Sequence, residues 1–255
     1  MNVHVFEHPV ALGEFAAKLA SEVIRRYVEE QGKCRLALST GQSQFEFFDA
    51  FAKQAIDWSK VEVFHLDEYV GLPLEHPASF RRYLKERLLD QVSAGKQYLV
   101  NGEGDIAAHV AELNREIARA PIDLALIGIG ENAHIAFNDP PADFETQAPY
   151  MVVDLDEACK QQQVREGWFP LLDDVPKQAI TMSVRQLMSS RTIISCVPHS
   201  VKAEAIHLTM TEAVSNLVPA TILKTHGDWT LCLDAASASR LELTGAASDD
   251  IDVES

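Results

Sequence analysis

A chain of 255 residues with 47% apolar content can build one large α/β domain, or at most two small ones. Its formal net charge of -16 excludes a nucleic-acid surface, which must be basic, and obliges any bound anion to find local cations and backbone N–H groups. No apolar stretch is long enough for a bilayer, and the start MNVHVFEHP lacks the regions of a secretion signal.

Along the chain, apolar runs alternate with helical periodicity. Residues 3–6 predict a short strand, and residues 10–30 a helix ending near Gly32. A strand at 35–39 (RLALS) precedes a helix at 43–54, and a strand at 61–66 (VEVFHL) precedes a helix at 79–89. A helix at 106–119 leads to a strand at 122–127. After a proline- and acid-rich stretch, a strand at 191–197, a helix at 200–210 and a closing strand at 229–233 follow. This alternation implies βαβ units: a single-domain, Rossmann-like α/β fold over residues 1–247, with a mainly parallel sheet and helices on both faces. Residues 141–176 resist assignment apart from one strand-like piece at 151–155, and are expected to form a lid segment. The acidic tail, 248–255, is expected to be a solvated end. Cys34, Cys159, Cys196 and Cys232 form no C-x-x-C pair and are expected to be reduced thiols of a cytoplasmic protein.

Open α/β sheets bind ligands at the carboxyl ends of their strands. Three polar loops sit at such ends. Ser39-Thr40-Gly41-Gln42-Ser43 offers small residues, hydroxyls and a helix start that suit an anion, although an ordinary capped turn explains it as well. The adjacent acids of His65-Leu66-Asp67-Glu68-Tyr69 either solvate a turn or supply a general base. In GIGENAHIAFNDP (128–140), His134 can carry a proton near neutral pH, with Glu131, Asn132 and Asp139 beside it. His65 and His134 lack the H-x-x-x-H or H-E-x-x-H spacing of a zinc site, so no metal is predicted.

Together, Ser39-Thr40-Gly41, LDEYVGLPLEHPASF (66–80), GIGENAHIAFNDP and VPHSVKA (197–203) resemble the glucosamine-6-phosphate deaminases, which share a fold with 6-phosphogluconolactonases and are related to ribose-5-phosphate isomerases. The resemblance implies conversion of glucosamine 6-phosphate and water into fructose 6-phosphate and ammonia, without metal or organic cofactor. It implies that His134 opens the sugar ring and that Asp67 moves the proton from C2 to C1. Asp139 and Asn132 would support the histidine. Thr40, Gly41, Gln42 and Ser43 would hold the phosphate, with Lys202 as a cation and a lid cation at Arg165 rather than Lys160. Its partner is a small sugar phosphate, and a homo-oligomer is compatible with it.

The chain departs from the family pattern at four places. Asn132 replaces an aspartate and cannot stabilise an imidazolium by charge. Ala133 replaces a glycine and restricts the turn unless its φ is negative. Asp139 replaces a glutamate one methylene longer, and Gln42 replaces a glycine. These changes leave two alternatives open: a lactone hydrolase of the 6-phosphogluconolactonase type, and a sugar-phosphate-binding protein without turnover. Residues 141–151 lack the basic residues through which allosteric members bind an activator, so no activation by an N-acetylated sugar phosphate is expected.

Overall fold

The computed structural model describes residues 1–241 and the backbone of 251–254. Strand β1 (Asn2–Phe6) leads into α1 (Pro9–Gln31). The start of α1 is set by the His8 side chain, which accepts from the Ala11 N–H, and by Pro9, whose missing N–H costs nothing in a first turn. There follow β2 (Cys34–Leu38), α2 (Phe45–Phe51), β3 (Val61–His65), β4 (Asp67–Tyr69) and α3 (Phe80–Leu84). Next come β5 (Gln97–Tyr98), α4 (Ile106–Ile117), β6 (Leu124–Leu126), β7 (Tyr150–Asp154) and α5 (Glu157–Arg165). The chain continues through β8 (Gln178–Met182), α6 (Val184–Met188), β9 (Thr192–Val197), α7 (Ala203–Thr211), β10 (Trp229–Asp234) and β11 (Ile251–Glu254).

Eight strands form one sheet in the order β11-β1-β10-β9-β6-β2-β3-β5, every neighbouring pair parallel. Its central strands are buried on both faces: each residue of β2, β9 and β10 is buried, as a covered parallel sheet requires. One core cluster joins the sheet to α1, α2 and α3 through Leu12, Ile24, Phe47, Phe51 and Leu84. A second lies against α4, α6 and α7 through Leu113, Ile117, Leu187 and Ile206. The α/β class and the two covered faces are those the alternation predicted. No helix among the described residues is long and apolar enough to cross a membrane.

Several elements differ from expectation. The helix predicted from residue 43 begins with a 3-10 turn, Gln42–Gln44, before α2. The loop expected to hold an anion is therefore followed by a 3-10 turn and a short helix, not by the end of a long helix dipole. The helix predicted over 79–89 is α-helical only in α3 and continues as a π turn, Lys85–Leu89. The stretch 141–176 contains β7 and α5, and β7 joins β8 and β4 in a separate antiparallel sheet, β4-β8-β7. The acidic tail, expected to be solvated, contributes β11, which pairs parallel to β1 with Val3 opposite Ile251; the rest of 248–255 lies outside the described residues.

Candidate active site

Strand order brings the polar loops together. β3, β2, β6 and β9 are successive neighbours, with Leu38 in register with His65 and Leu126, and Leu126 with Ile194. The segments after these four strands open on one cavity of about 370 Å³. Thr40, Gly41, Gln42, Ser43, Asp67, His134, Arg165 and Lys202 line it. Asn132 and Asp139 stand behind His134.

Gly41 adopts φ 115°, a backbone region nearly closed to other residues, and its carbonyl accepts from the Tyr83 hydroxyl at 2.9 Å. Ser39 Oγ accepts from the Gly128 N–H at 3.2 Å, tying the first loop to the third. The Gln42 side chain neither blocks the loop nor points only at ligand space: its Nε2 donates to the Glu166 carbonyl at 2.8 Å, joining the loop to the end of α5.

The two acids after β3 have different surroundings. The chain leaves the main sheet at Leu66, whose carbonyl accepts from Met182 of β8, and Asp67 lies at this seam. Asp67 is only 6% exposed yet lines the cavity. Burial, reinforced by the charge of Glu68, pushes its carboxyl up to about 8, although the Phe137 N–H pulls the other way. Glu68 points away and accepts from the Ser79 hydroxyl and from the N–H groups of Tyr69, Phe80 and Arg81. It anchors the start of α3 and is paired with Arg81 at 3.4 Å, so its place is structural.

His134 Nδ1 lies 2.9 Å from Asp139 Oδ1, so the shorter aspartate still reaches the ring. Asn132 does not orient the imidazole directly. Its Nδ2 donates to Asp139 Oδ1 at 3.1 Å, and its Oδ1 accepts from the His134 N–H at 3.2 Å. Burial alone would raise the Asp139 carboxyl; contacts with His134, Asn132 and the Cys159 thiol hold it below the usual carboxylate range. The His134 ring lies over Gly130, where a Cβ would come within 2.3 Å of Nε2, so only glycine fits. Ala133 has φ 61°, not the negative value its side chain prefers. That strain costs about 1–2 kcal/mol, offset in part by about 0.8 kcal/mol from its fully buried methyl. Ala136 (φ 50°) and His199 (φ 80°) also line the cavity in strained conformations.

Two cations face the cavity. Lys202 lies in the 3-10 turn Ser200–Lys202 before α7 and is 5% exposed. Burial lowers its ammonium pKa, while Glu166 and Glu131 oppose that shift. Arg165, at the end of α5, is exposed and pairs with Glu131 at 2.6 Å, whereas Lys160 pairs with Glu157 away from the lining. His65 is buried outside the lining, and burial lowers its imidazole to about 3.

Sequence reasoning did not single out Gln162, Gln163, Glu166, Trp168 or His199, all of which line the cavity. Asp156 was a readable signal for α5: its carboxylate caps the helix by accepting from the Cys159 N–H. His199 stands in the segment VPHSVKA, but its place in the lining was not read from it, because a positive φ at a non-glycine residue is not legible in sequence.

A Gly41 loop with hydroxyls on either side, a buried acid and a histidine–carboxylate pair at the carboxyl edge of one parallel sheet define the class: a sugar-phosphate isomerase-like α/β protein. The chain belongs to the family of glucosamine-6-phosphate isomerases/6-phosphogluconolactonase, whose model matches residues 7–231. It is 36% identical over 242 residues to a glucosamine-6-phosphate deaminase of Streptococcus suis (strain 05ZYH33), covering 94% of this chain and 100% of that relative. A glucosamine-6-phosphate deaminase of Streptococcus pneumoniae (strain Hungary19A-6) is 35% identical over 226 residues, 88% of this chain and 94% of the relative. Among solved structures, a monomeric glucosamine-6-phosphate deaminase superposes with a TM-score of 0.86 at 28% identity, covering 94% of this chain and 99% of that one. A putative 6-phosphogluconolactonase of Neisseria gonorrhoeae reaches 0.74 at 17% identity, over 92% and 100% of the two chains, a likeness of fold alone.

Proposed function

We propose that this chain is an isomerising deaminase that converts glucosamine 6-phosphate and water to fructose 6-phosphate and ammonia. The observation that carries the reading is that Asp67 and His134 line the same cavity as Thr40–Ser43 and Lys202. The phosphate sits in the backbone donors and hydroxyls of the Gly41 loop, against Lys202, and draws Arg165 away from Glu131. This remote grip holds C1 and C2 in register. His134 moves a proton from the anomeric hydroxyl to the ring oxygen, with Asp139 fixing the imidazole and Asn132 fixing Asp139. Asp67 then takes the C2 proton and returns it to C1. Water adds to the resulting C2 imine and ammonia leaves.

With its carboxyl pushed up to about 8, Asp67 favours its protonated form at neutral pH. A substrate ammonium at C2 favours the ionised carboxylate. The substrate's own amino group thus helps to create the base it needs. Residues 141–176 act as the lid, with α5 bringing Arg165 to the cavity.

The test is an assay for ammonia and fructose 6-phosphate with glucosamine 6-phosphate as substrate. Asp67→Asn should lower kcat on the order of 10³-fold while leaving substrate binding. A fully active Asp67→Asn would refute the assignment of the base. Asp139 keeps contact with His134 despite its shorter side chain, which removes one of the two motives for the binding-only alternative; the charge lost at Asn132 is the other.

A further inference from the structure

The cavity's histidine has a neighbour that the proposed chemistry does not use. Cys159, in the first turn of α5, is buried and turns its thiol toward the loop that carries His134 and Asp139. One donor atom from each of His134, Asp139 and Cys159 lies within 4.8 Å of the other two. Imidazole nitrogen, carboxylate oxygen and sulfur together form a donor set suited to a borderline-soft divalent cation. A second observation points to a ligand: the Asp139 side chain is 7% exposed, and although the Cys159 thiol reaches the carboxylate, no N–H or O–H donor meets its buried Oδ2. A buried carboxylate oxygen left to a weak thiol donor is poorly satisfied, and a cation would satisfy it. The separation of 2.9 Å between His134 Nδ1 and Asp139 Oδ1 needs little opening, since two ligands on a tetrahedral zinc ion stand roughly 3.3 Å apart.

We propose that His134, Asp139 and Cys159 form an inhibitory site for a thiophilic divalent cation, zinc being the natural occupant. On binding, the Cys159 thiol proton and the proton between His134 Nδ1 and Asp139 pass to solvent. The ion takes the histidine's supporting contact and fastens α5 to the loop beneath it. Loss of turnover rests on the function proposed above; binding of the ion does not.

The test is a titration of the metal-free full-length chain with Cd²⁺, followed by the ultraviolet thiolate-to-metal charge-transfer band, with Zn²⁺ as competitor and ammonia release measured in parallel. The band should saturate at one ion per chain, Zn²⁺ should displace it, and turnover should fall with occupancy. Cys159→Ser keeps a hydroxyl beside Asp139. It should retain turnover within about two-fold in metal-free buffer, lose the charge-transfer band, and need roughly ten-fold or more Zn²⁺ for the same fall in turnover. Cys159→Ala serves as a second variant with the same expected loss of the band. An absent band, or one of unchanged midpoint in both variants, overturns the site, and a bound ion without loss of turnover overturns its inhibitory role. A band that depends on Cys159, in a chain that never releases ammonia, would leave the site standing and refute the deaminase reading.

Discussion

Asp67 and Glu68 are chemically alike and adjacent, but their surroundings make them opposites. Asp67 faces the cavity with few donors, and its carboxyl is raised to about 8, so its native state favours the protonated form. The stabilisation from that proton is complete below the ordinary carboxylate range and is lost as pH rises through about 8. Asp67→Asn carries no ionisation, so its melting temperature should match wild type near about pH 4 and exceed it increasingly toward alkaline pH. Thermal melts across pH check this; a parallel pair of profiles would contradict it. The same carboxyl must be ionised to act as a base. Wild-type kcat/KM should therefore rise as pH passes through about 8 on the limb that reports the free enzyme. Glu68→Gln should behave differently. It strips a buried anion from the Arg81 guanidinium and the donors at the start of α3. It should cost about 3 kcal/mol in denaturant unfolding and, by removing a charge that helps raise the Asp67 carboxyl, move the rise of kcat/KM per folded molecule to lower pH.

α5 links the sequence's least legible region to its most legible loop. Gln42 donates to the carbonyl of Glu166, and Arg165 pairs with Glu131, so two contacts hold the end of α5 against the anion loop and the histidine loop. Gln42→Ala should raise KM more than it lowers kcat, because it loosens the cover and leaves the reacting groups in place. Arg165→Ala should lower kcat/KM roughly ten-fold or more, the loss expected for one charge-assisted bond to phosphate. Initial-rate kinetics over a substrate series separate the two effects. Six strands of the parallel sheet, β1, β2, β3, β6, β9 and β10, were legible because each is a short apolar run flanked by turn residues; β5, two residues long, and β11, in the tail read as solvated, were not. β4, β7 and β8 were harder because each is fixed by pairing with a distant segment, Asp67 opposite Thr181 and Tyr150 opposite Met182. The loops bearing Thr40, Asp67 and His134 stood out by composition. Their departures were legible as residues but not as geometry: Asn132 serves Asp139 instead of the ring, and Ala133 accepts a positive φ.

Across the whole molecule, the strand order turns residues far apart in sequence into one cavity, and with a net charge of -16 the proposed phosphate grip depends on Lys202 and Arg165. The stretch 141–151 contains no Lys or Arg. An N-acetylated sugar phosphate should therefore leave the rate curve hyperbolic; a sigmoidal curve that it made hyperbolic would contradict this. Glucosamine 6-phosphate incubated with the protein in heavy water provides the most direct test. The account predicts ammonia and fructose 6-phosphate in equal amounts, with solvent deuterium entering at C1 through the exchangeable Asp67 carboxyl. Hydrolysis of a sugar lactone phosphate in place of ammonia release, or tight binding of the amino sugar with no ammonia at all, would contradict it.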